Sequence, residues 1–421
     1  MAIANEQKIK PERASEQKKQ KQEETWLKPR HKIVRDLVAC AIGPYSAWKY
    51  GIKAEKFKEQ NGRQYLILFN HQTGFDQFFV GASFDGPIYY LATEDIFSIG
   101  WVSSLIRYLV APIPIKKQTS DIRAIKNCLR VAKEGGTIAL APEGNRTYSG
   151  KTEFMLPTIA FLAKKLGLPI ALYRIEGGYG VQPRWSDVVR KGSMRGYVSK
   201  VIEPEEYKNM TTDELFAVIK EELYVNEANA DHEFFHNKRA EYLERAIYVC
   251  PDCGLSEFVS DKDTFTCKKC SKTVRYCEDK TLQGVNCEWP FRFTTEWYDY
   301  QSDFINGLDL VARADELLYT DRAKFSEVKL YDNKYPISDD AEVRLYGGKI
   351  VVEAAGETYD FSFDKVSTVS VLGKNKVNIY YEGKLYQLKG DARFNGVKFV
   401  QLCYRYKNIC KGQEDDGYLG L

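Results

Sequence analysis

Between residues 64 and 203 the chain alternates short apolar runs with segments whose apolar positions recur every three or four residues. YLILFN (65–70), PIYYLA (87–92), APIPI (111–115), TIALA (137–141) and LPIALYRI (168–175) read as buried strands. TSDIRAIKNCLRVAKE (119–134) reads as a helix with Ile122, Ile125, Leu129 and Val131 on its apolar face and Ser120 or Asp121 as N-cap. Strands alternating with helices predict an α/β fold, a mainly parallel sheet flanked by helices. Residues 211–248 are heavily charged and read as helical. From about 325 to 400 the period changes to two. VRLYGG, KIVVEA, TYDFSF, VSTVSVLG, KVNIYY and KLYQLKG are separated by Gly-containing turns, and a helical stretch, FNGVKFVQLCYRYK, follows. That pattern predicts a small antiparallel β module closed by a C-terminal helix.

A chain of 421 residues is too long for one ordinary domain. The shifts in character divide it into a basic, flexible arm (1–30), the α/β domain (31–245), a cysteine-rich module (246–280), an aromatic connecting segment (281–320) and the β module (321–412). Apolar residues make up 44% of the chain, enough for substantial cores, and the net charge of +3 favours no class of partner. Its distribution is more telling. Residues 1–35 hold ten Lys/Arg against five Asp/Glu, and IVRDLVACAIGPYSAWKY follows. A basic arm leading into an amphipathic segment suits an anionic membrane surface, and equally a solvated arm entering a core helix. No run approaches the roughly 18 apolar residues of a spanning helix, and no signal peptide opens the chain. The expected location is cytoplasmic, at the membrane periphery.

Candidate chemistry begins at NHQTGFD (70–76). His71 stands at the C-terminal end of a strand, where open α/β sheets place their ligand sites. Gly74 permits a tight turn before a helix starting near Asp76. Five residues do not fall on one face of a regular helix. With His71 in the turn and Asp76 in the first helical turn, however, the carboxylate can reach the imidazole. Such a pair suits general-base catalysis, because the carboxylate fixes the tautomer and stabilises the imidazolium. Downstream, TIALA runs into APEGNRTYSG (141–150), where Gly144 lets backbone approach a ligand and Arg146 offers a fork for a phosphate. Lys116 and Lys117 follow the strand APIPI. All three pieces follow strands and can converge on one rim of the sheet.

NHQTGFD resembles the NHxxxxD block of the glycerolipid acyltransferases, the 1-acylglycerol-3-phosphate acyltransferase family. APEGNRT resembles that family's FPEGTRS block, and APIPIKK its block ending in a basic residue. LPIALYRIEGG falls where the family has its last, proline-containing strand. The resemblance spans roughly residues 31–225. It implies transfer of a fatty acyl group from acyl-CoA or acyl carrier protein to the free hydroxyl of a lysophospholipid, foremost 1-acyl-sn-glycerol-3-phosphate, at a membrane surface. It implies His71 as general base and Asp76 as its orienting partner. Lys117, Glu143, Gly144, Asn145 and Arg146 would bind substrate, with Arg146 on the phosphate. Lys117 stands where the family usually has arginine, Asn145 replaces a threonine, and Leu172 replaces the second proline of the last block. The same fold could also serve as a non-catalytic scaffold for lipid or protein.

CPDCG (250–254) and CKKCS (267–271) form two CxxC pairs separated by thirteen residues. Two such knuckles place four thiolates around a structural Zn2+, predicting a zinc ribbon held by Cys250, Cys253, Cys267 and Cys270. No organic cofactor is expected beyond the acyl donor, and without a dense basic patch no nucleic acid. DHEFFHNK contains His232, Glu233 and His236, an HExxH string that on a helix could serve a zinc-dependent hydrolase. No third-ligand signature follows it, and a helix with solvated histidines is the simpler expectation. The β module resembles pleckstrin-homology-like folds in pattern alone.

Overall fold

The computed structural model describes residues 25–93, 100–115, 122–329 and 334–412. Most of the basic arm, Lys116, Lys117 and both candidate caps of the 119–134 helix lie outside them.

Helix α1 (Pro29–Tyr50) leads into a seven-stranded sheet. Its strands are β1 (Ile52–Ala54), β2 (Leu66–Phe69), β3 (Ile88–Thr93), β4 (Ile113–Ile115), β5 (Thr137–Leu140), β6 (Ile170–Glu176) and β7 (Met194–Ile202), in the order β1-β7-β6-β2-β5-β3-β4. Every pairing is parallel except β6 with β7. Helices α2 (Asp76–Ser83), α3 (Gly100–Val110), α4 (Ile122–Lys133) and α5 (Thr158–Leu166) make the crossovers between the parallel strands. Strand β2 is central and fully buried, because LILF has apolar side chains for both covered faces. The five apolar runs therefore form strands, as the pattern predicts. Short β1 and the antiparallel β7 gave no comparable signal.

The 119–134 segment is helical, and its buried side is the expected one only in part: Val131 is buried and Ile125 packs against the core. Ala124, Cys128 and Val131 face the core, while Ile122 and Leu129 are exposed. The small side chains of Ala124 and Cys128, at i and i+4, let the helix approach the sheet closely, and Ile122 and Leu129 are left outside.

Short helices α6 (Gly178–Val181) and α7 (Pro204–Tyr207) precede α8 (Thr212–Leu223). The charged 211–248 segment is α-helical only through α8, with one 3₁₀ turn at Leu243–Arg245. Beyond it the chain is irregular because it clamps other parts together: Asn226 bridges to Lys151 and Phe235 to Lys191. Glu227 forms a buried ion pair of 2.9 Å with Lys280 and also accepts the Gly177 N–H at 2.6 Å.

The cysteine-rich region contributes the hairpin β8 (Val249–Cys250) and β9 (Gly254–Leu255) and a four-stranded sheet of β10 (Phe258–Asp261), β11 (Thr264–Cys267), β12 (Thr273–Tyr276) and β13 (Leu282–Gly284). The aromatic connecting segment folds into α9 (Thr294–Asn306), whose Trp297 is fully buried. A second seven-stranded sheet then forms from β14 (Leu317–Val328), β15 (Lys334–Tyr346), β16 (Lys349–Ala354), β17 (Glu357–Ser362), β18 (Val366–Leu372), β19 (Lys376–Tyr381) and β20 (Lys384–Lys389). All its pairings are antiparallel, and α10 (Val397–Lys411) packs on it. One continuous apolar core runs from Tyr148, Tyr179 and Trp185 of the first unit through Phe258, Phe265 and Trp297 to Val371, Val377 and Phe399 of the last. The three regions are thus packed together rather than strung on linkers.

Candidate functional site

Strand β2 ends at Phe69, and Asn70 takes over its hydrogen bonding. The buried Asn70 amide donates to the Ile175 carbonyl at 2.8 Å, and its oxygen accepts the Ile175 N–H at 2.7 Å. The side chain therefore extends the β2–β6 ladder by one step while the main chain turns away. That turn carries His71. Its backbone N–H donates to Glu143 Oε1 at 2.7 Å, and its carbonyl accepts the Thr147 N–H at 3.0 Å.

Asp76 opens α2 and is fully buried. Its Oδ2 lies 2.6 Å from His71 Nδ1 and 2.8 Å from the Gln72 N–H that donates to it. Its Oδ1 accepts the Thr73 N–H at 3.0 Å and the Thr73 hydroxyl at 2.8 Å. A buried carboxylate needs this many donors to remain ionised. Because the carboxylate accepts, Nδ1 must carry the proton, and Nε2 is left with the lone pair. The His71 side chain is 26% exposed, so the base is reachable from outside.

Packing behind the turn leaves no slack. Gln72 is buried, and its Oε1 accepts the Tyr179 N–H at 3.1 Å. A Cβ on Gly178 would meet Gln72 Cβ at 2.8 Å and Thr73 Cγ2 at 2.9 Å, so only glycine fits there.

The 141–150 loop lies beside this turn. Both oxygens of Glu143 are taken by backbone amides, His71 N–H at 2.7 Å and Glu153 N–H at 2.6 Å. Burial pushes the Glu143 carboxyl well above the usual carboxylate range, and those two N–H groups work against the shift. Gly144 adopts φ +69°, a left-handed conformation that a residue with a Cβ would be strained to hold. Asn145 is half-buried in the same loop. Arg146 Nη1 lies 3.9 Å from where a Gly74 Cβ would stand, so the guanidinium faces the His71–Asp76 turn. Burial, and after it the nearby Arg184 cation, lower the Arg146 pKa from its ordinary value. Arg184 itself donates Nη1 to the Arg146 carbonyl at 3.0 Å and so ties that residue's backbone in place.

The structure therefore brings His71, Asp76, Glu143, Gly144, Asn145 and Arg146 together at the C-terminal ends of β2 and β5. Lys117 lies outside the described residues. Glu143 braces the loops rather than presenting a free carboxylate. Sequence reasoning left Asn70 unassigned although it begins the motif; an amide ending a wholly apolar strand was the available signal. Glu153, which gathers Thr147 and Tyr148 through its Oε1, and Arg184 gave no local signal.

Residues 52–174 match the family model described as Acyltransferase. The histidine, basic and glutamate blocks all fall inside that span. The chain is 23% identical over 176 residues to the chloroplastic 1-acyl-sn-glycerol-3-phosphate acyltransferase BAT2 of Brassica napus, covering 41% of this chain and 50% of the relative. It is 23% identical over 137 residues to the 1-acyl-sn-glycerol-3-phosphate acyltransferase of Bacillus subtilis, covering 32% of this chain and 65% of the relative. The chain thus spans about half to two thirds of the length of these relatives. The crystal structure of the 1-acyl-sn-glycerophosphate (LPA) acyltransferase PlsC from Thermotoga maritima aligns with a TM-score of 0.39 and 21% identity, over 45% of this chain and 77% of that one.

A second cluster lies in the cysteine-rich region. The Sγ atoms of Cys250, Cys253, Cys267 and Cys270 all lie within 4.8 Å of one another, with Cys250 and Cys270 at 3.8 Å. Tetrahedral sulfur ligands about 2.3 Å from a metal stand roughly 3.8 Å apart, so the donor set and its spacing fit a metal ion. His232, Glu233 and His236 are arranged otherwise. Their segment is irregular, with one isolated bridge at Phe235, not helical, so the two histidines do not share a helix face. Phe234 between them is buried, and Lys280 Nζ lies 5.3 Å from its ring centroid. The segment serves packing, which corrects both the helical expectation and the geometry a hydrolase would need.

Glu143→Gln replaces one acceptor oxygen with an amide that opposes a backbone N–H. It is expected to lower stability by about 1–3 kcal/mol, read from the midpoint of denaturant unfolding. A change within 0.5 kcal/mol would show that the brace contributes nothing.

Proposed function

We propose that this chain transfers a fatty acyl group from an acyl-CoA or acyl carrier protein thioester to the free hydroxyl of a lysophospholipid. The acceptor we favour is 1-acyl-sn-glycerol-3-phosphate, giving phosphatidic acid. The observation that carries the reading is the 2.6 Å contact between His71 and a buried, fully hydrogen-bonded Asp76, with Arg146 facing the same turn.

His71 Nε2 takes the acceptor hydroxyl proton as the oxygen attacks the thioester carbonyl. The new C–O bond forms, the tetrahedral intermediate collapses, and the C–S bond breaks. The departing thiolate recovers the proton from the imidazolium, which Asp76 stabilises throughout. Arg146 holds the acceptor phosphate and so orients the hydroxyl. Glu143, Gly144 and Asn145 shape the loop that carries it. No residue here needs to become acylated.

Cys250, Cys253, Cys267 and Cys270 hold a structural Zn2+. A four-thiolate site has no open position, so the ion's contribution is cross-linking β8 to the end of β11, not catalysis. Among the described residues, no helix is long and apolar enough to cross a membrane. Access to lipid instead runs through α1 and α3, where Ile33, Leu37, Trp48, Trp101, Leu105 and Tyr108 are exposed. The two helices are tied by Arg30, whose Nε donates to the Tyr108 carbonyl at 2.8 Å. Exposed tryptophans on adjoining helices, with the exposed Lys32 on the same α1, suit peripheral attachment to an anionic bilayer.

Three outcomes are expected. Thiol release from a long-chain acyl-CoA should depend on lysophosphatidic acid, and His71→Ala should cut it by about 10²–10⁴ with thermal melting unchanged. Retained release would refute the mechanism; the acyl carrier protein thioester is the second donor to try. Elemental analysis should find one zinc per chain, lost in Cys250→Ser, and a zinc-free active protein would remove the metal from the scheme. Replacing both Trp48 and Trp101 by Ser should reduce co-flotation with vesicles containing anionic lipid, and equal binding would exclude this face.

A further inference from the structure

Arg184 lies in the loop after α6 and is buried, 3% exposed. Its guanidinium reaches in two directions. Nη1 donates to the Arg146 carbonyl at 3.0 Å, and Nη2 donates to the Val371 carbonyl at 3.3 Å, with Tyr148 beneath it at 4.2 Å from the ring centroid. Val371 belongs to β18 of the C-terminal sheet, next to the turn Gly373–Lys374 that leads to β19. A single side chain therefore separates that turn from the backbone of Arg146.

The turn is docked by charge. Lys374 Nζ lies 2.5 Å from Asp187 Oδ1. Asp187 is already paired, since Arg245 donates to both its oxygens at 2.8 and 3.1 Å. Burial works to raise the Asp187 carboxyl, but hydrogen bonds from Arg245 and then Lys374 outweigh it and bring it down to about 2. Arg245 has further acceptors in the Trp185 and Ala392 carbonyls. Lys374 is 31% exposed and shares a carboxylate that a buried arginine satisfies without it. Burial lowers the Lys374 pKa, Asp187 opposes that, and the Arg245 and Arg146 cations add to the lowering. Of the nearby carboxylates, Asp76 is committed to His71 and the turn, and Glu143 to two amides. Arg146, Arg184 and Lys374 thus outnumber the carboxylates free to neutralise them.

We propose that the β18–β19 turn of the C-terminal sheet completes the acceptor site, with Lys374 leaving Asp187 to join Arg146 on the acceptor's phosphomonoester. Arg184 is a positioning residue that holds the turn against the 141–150 loop. The β module is then part of the substrate site, and a phosphate dianion meets two cations from two regions of the chain. The inference rests on the acyltransferase reading. The phosphomonoester could come from lysophosphatidate or from the 3′-phosphate of coenzyme A, and we assign it to the acceptor.

The test uses the full chain and steady-state thiol release, varying each substrate in turn. Lys374→Met keeps the stem and removes the charge. It is expected to raise KM for lysophosphatidic acid about tenfold, the effect of losing one charge-assisted hydrogen bond, with kcat within about twofold and KM for acyl-CoA unchanged. Lys374→Arg should restore most of the acceptor affinity. In the wild type, lysophosphatidic acid should protect Lys374 from an amine-acetylating reagent, measured by peptide mass spectrometry, whereas coenzyme A should not. An unchanged acceptor KM, a rise confined to acyl-CoA, or no protection would each overturn the assignment. So would a parallel fall in kcat and melting temperature, which marks a purely structural lysine. Absence of acceptor-dependent release in the wild type with either donor would instead sink the acyltransferase reading itself.

Discussion

The Asp76 carboxylate is a full charge without exposed surface, and the site is built around keeping it satisfied. Leaving such a group unpaired would cost several kcal/mol. The chain avoids that by folding residues 71–73 over it, so that two backbone amides, one hydroxyl and one imidazole all point inward. That requirement shapes the turn, and the turn in turn sets where the next elements can go. Asn70 must close the ladder to β6, Gly178 must lack a side chain, and Glu143 must lie across the His71 amide. The histidine's tautomer follows from the arrangement.

Distance from the site does not mean independence from it. The cysteine-rich strands, α9 and the C-terminal sheet share one apolar core with Tyr148, Tyr179 and Trp185, two of which flank the candidate loops. Polar contacts follow the same course. Lys280 enters from the cysteine-rich region to pair with buried Glu227, which holds the Gly177 amide just after β6. Arg190, fully buried, donates to the Gly180 and Arg239 carbonyls, and its guanidinium lies 4.7 Å from the Tyr276 ring centroid. Buried charges placed between regions hold them in one register, since separating the regions would strand each charge without partners.

Much of this was legible because it is local. Strand positions show in unbroken apolar runs, and the cysteine pairs announce themselves by spacing that any knuckle requires. His71 and Asp76 lie on one turn, so five residues of sequence contain their whole relationship. The α4 face was legible only at Val131 and Ile125, because period alone does not say which stripe a neighbouring sheet can approach; Ala124 and Cys128 displace Ile122 and Leu129 by being small. The 224–248 segment was misjudged because its charges report on distant partners such as Lys280, not on helical neighbours.

The sequence by itself determined the α/β order of elements, the histidine–aspartate turn, the arginine-bearing loop and the four-thiolate set, all of which depend on residues close along the chain. Only the tertiary structure decided that Glu143 is a brace, that HExxH is an irregular packing segment, and that Arg184 ties Arg146 to Val371. Those facts depend on groups tens to hundreds of residues apart. Their meeting is settled by how buried charges and apolar faces find partners in the folded core, which no local pattern encodes.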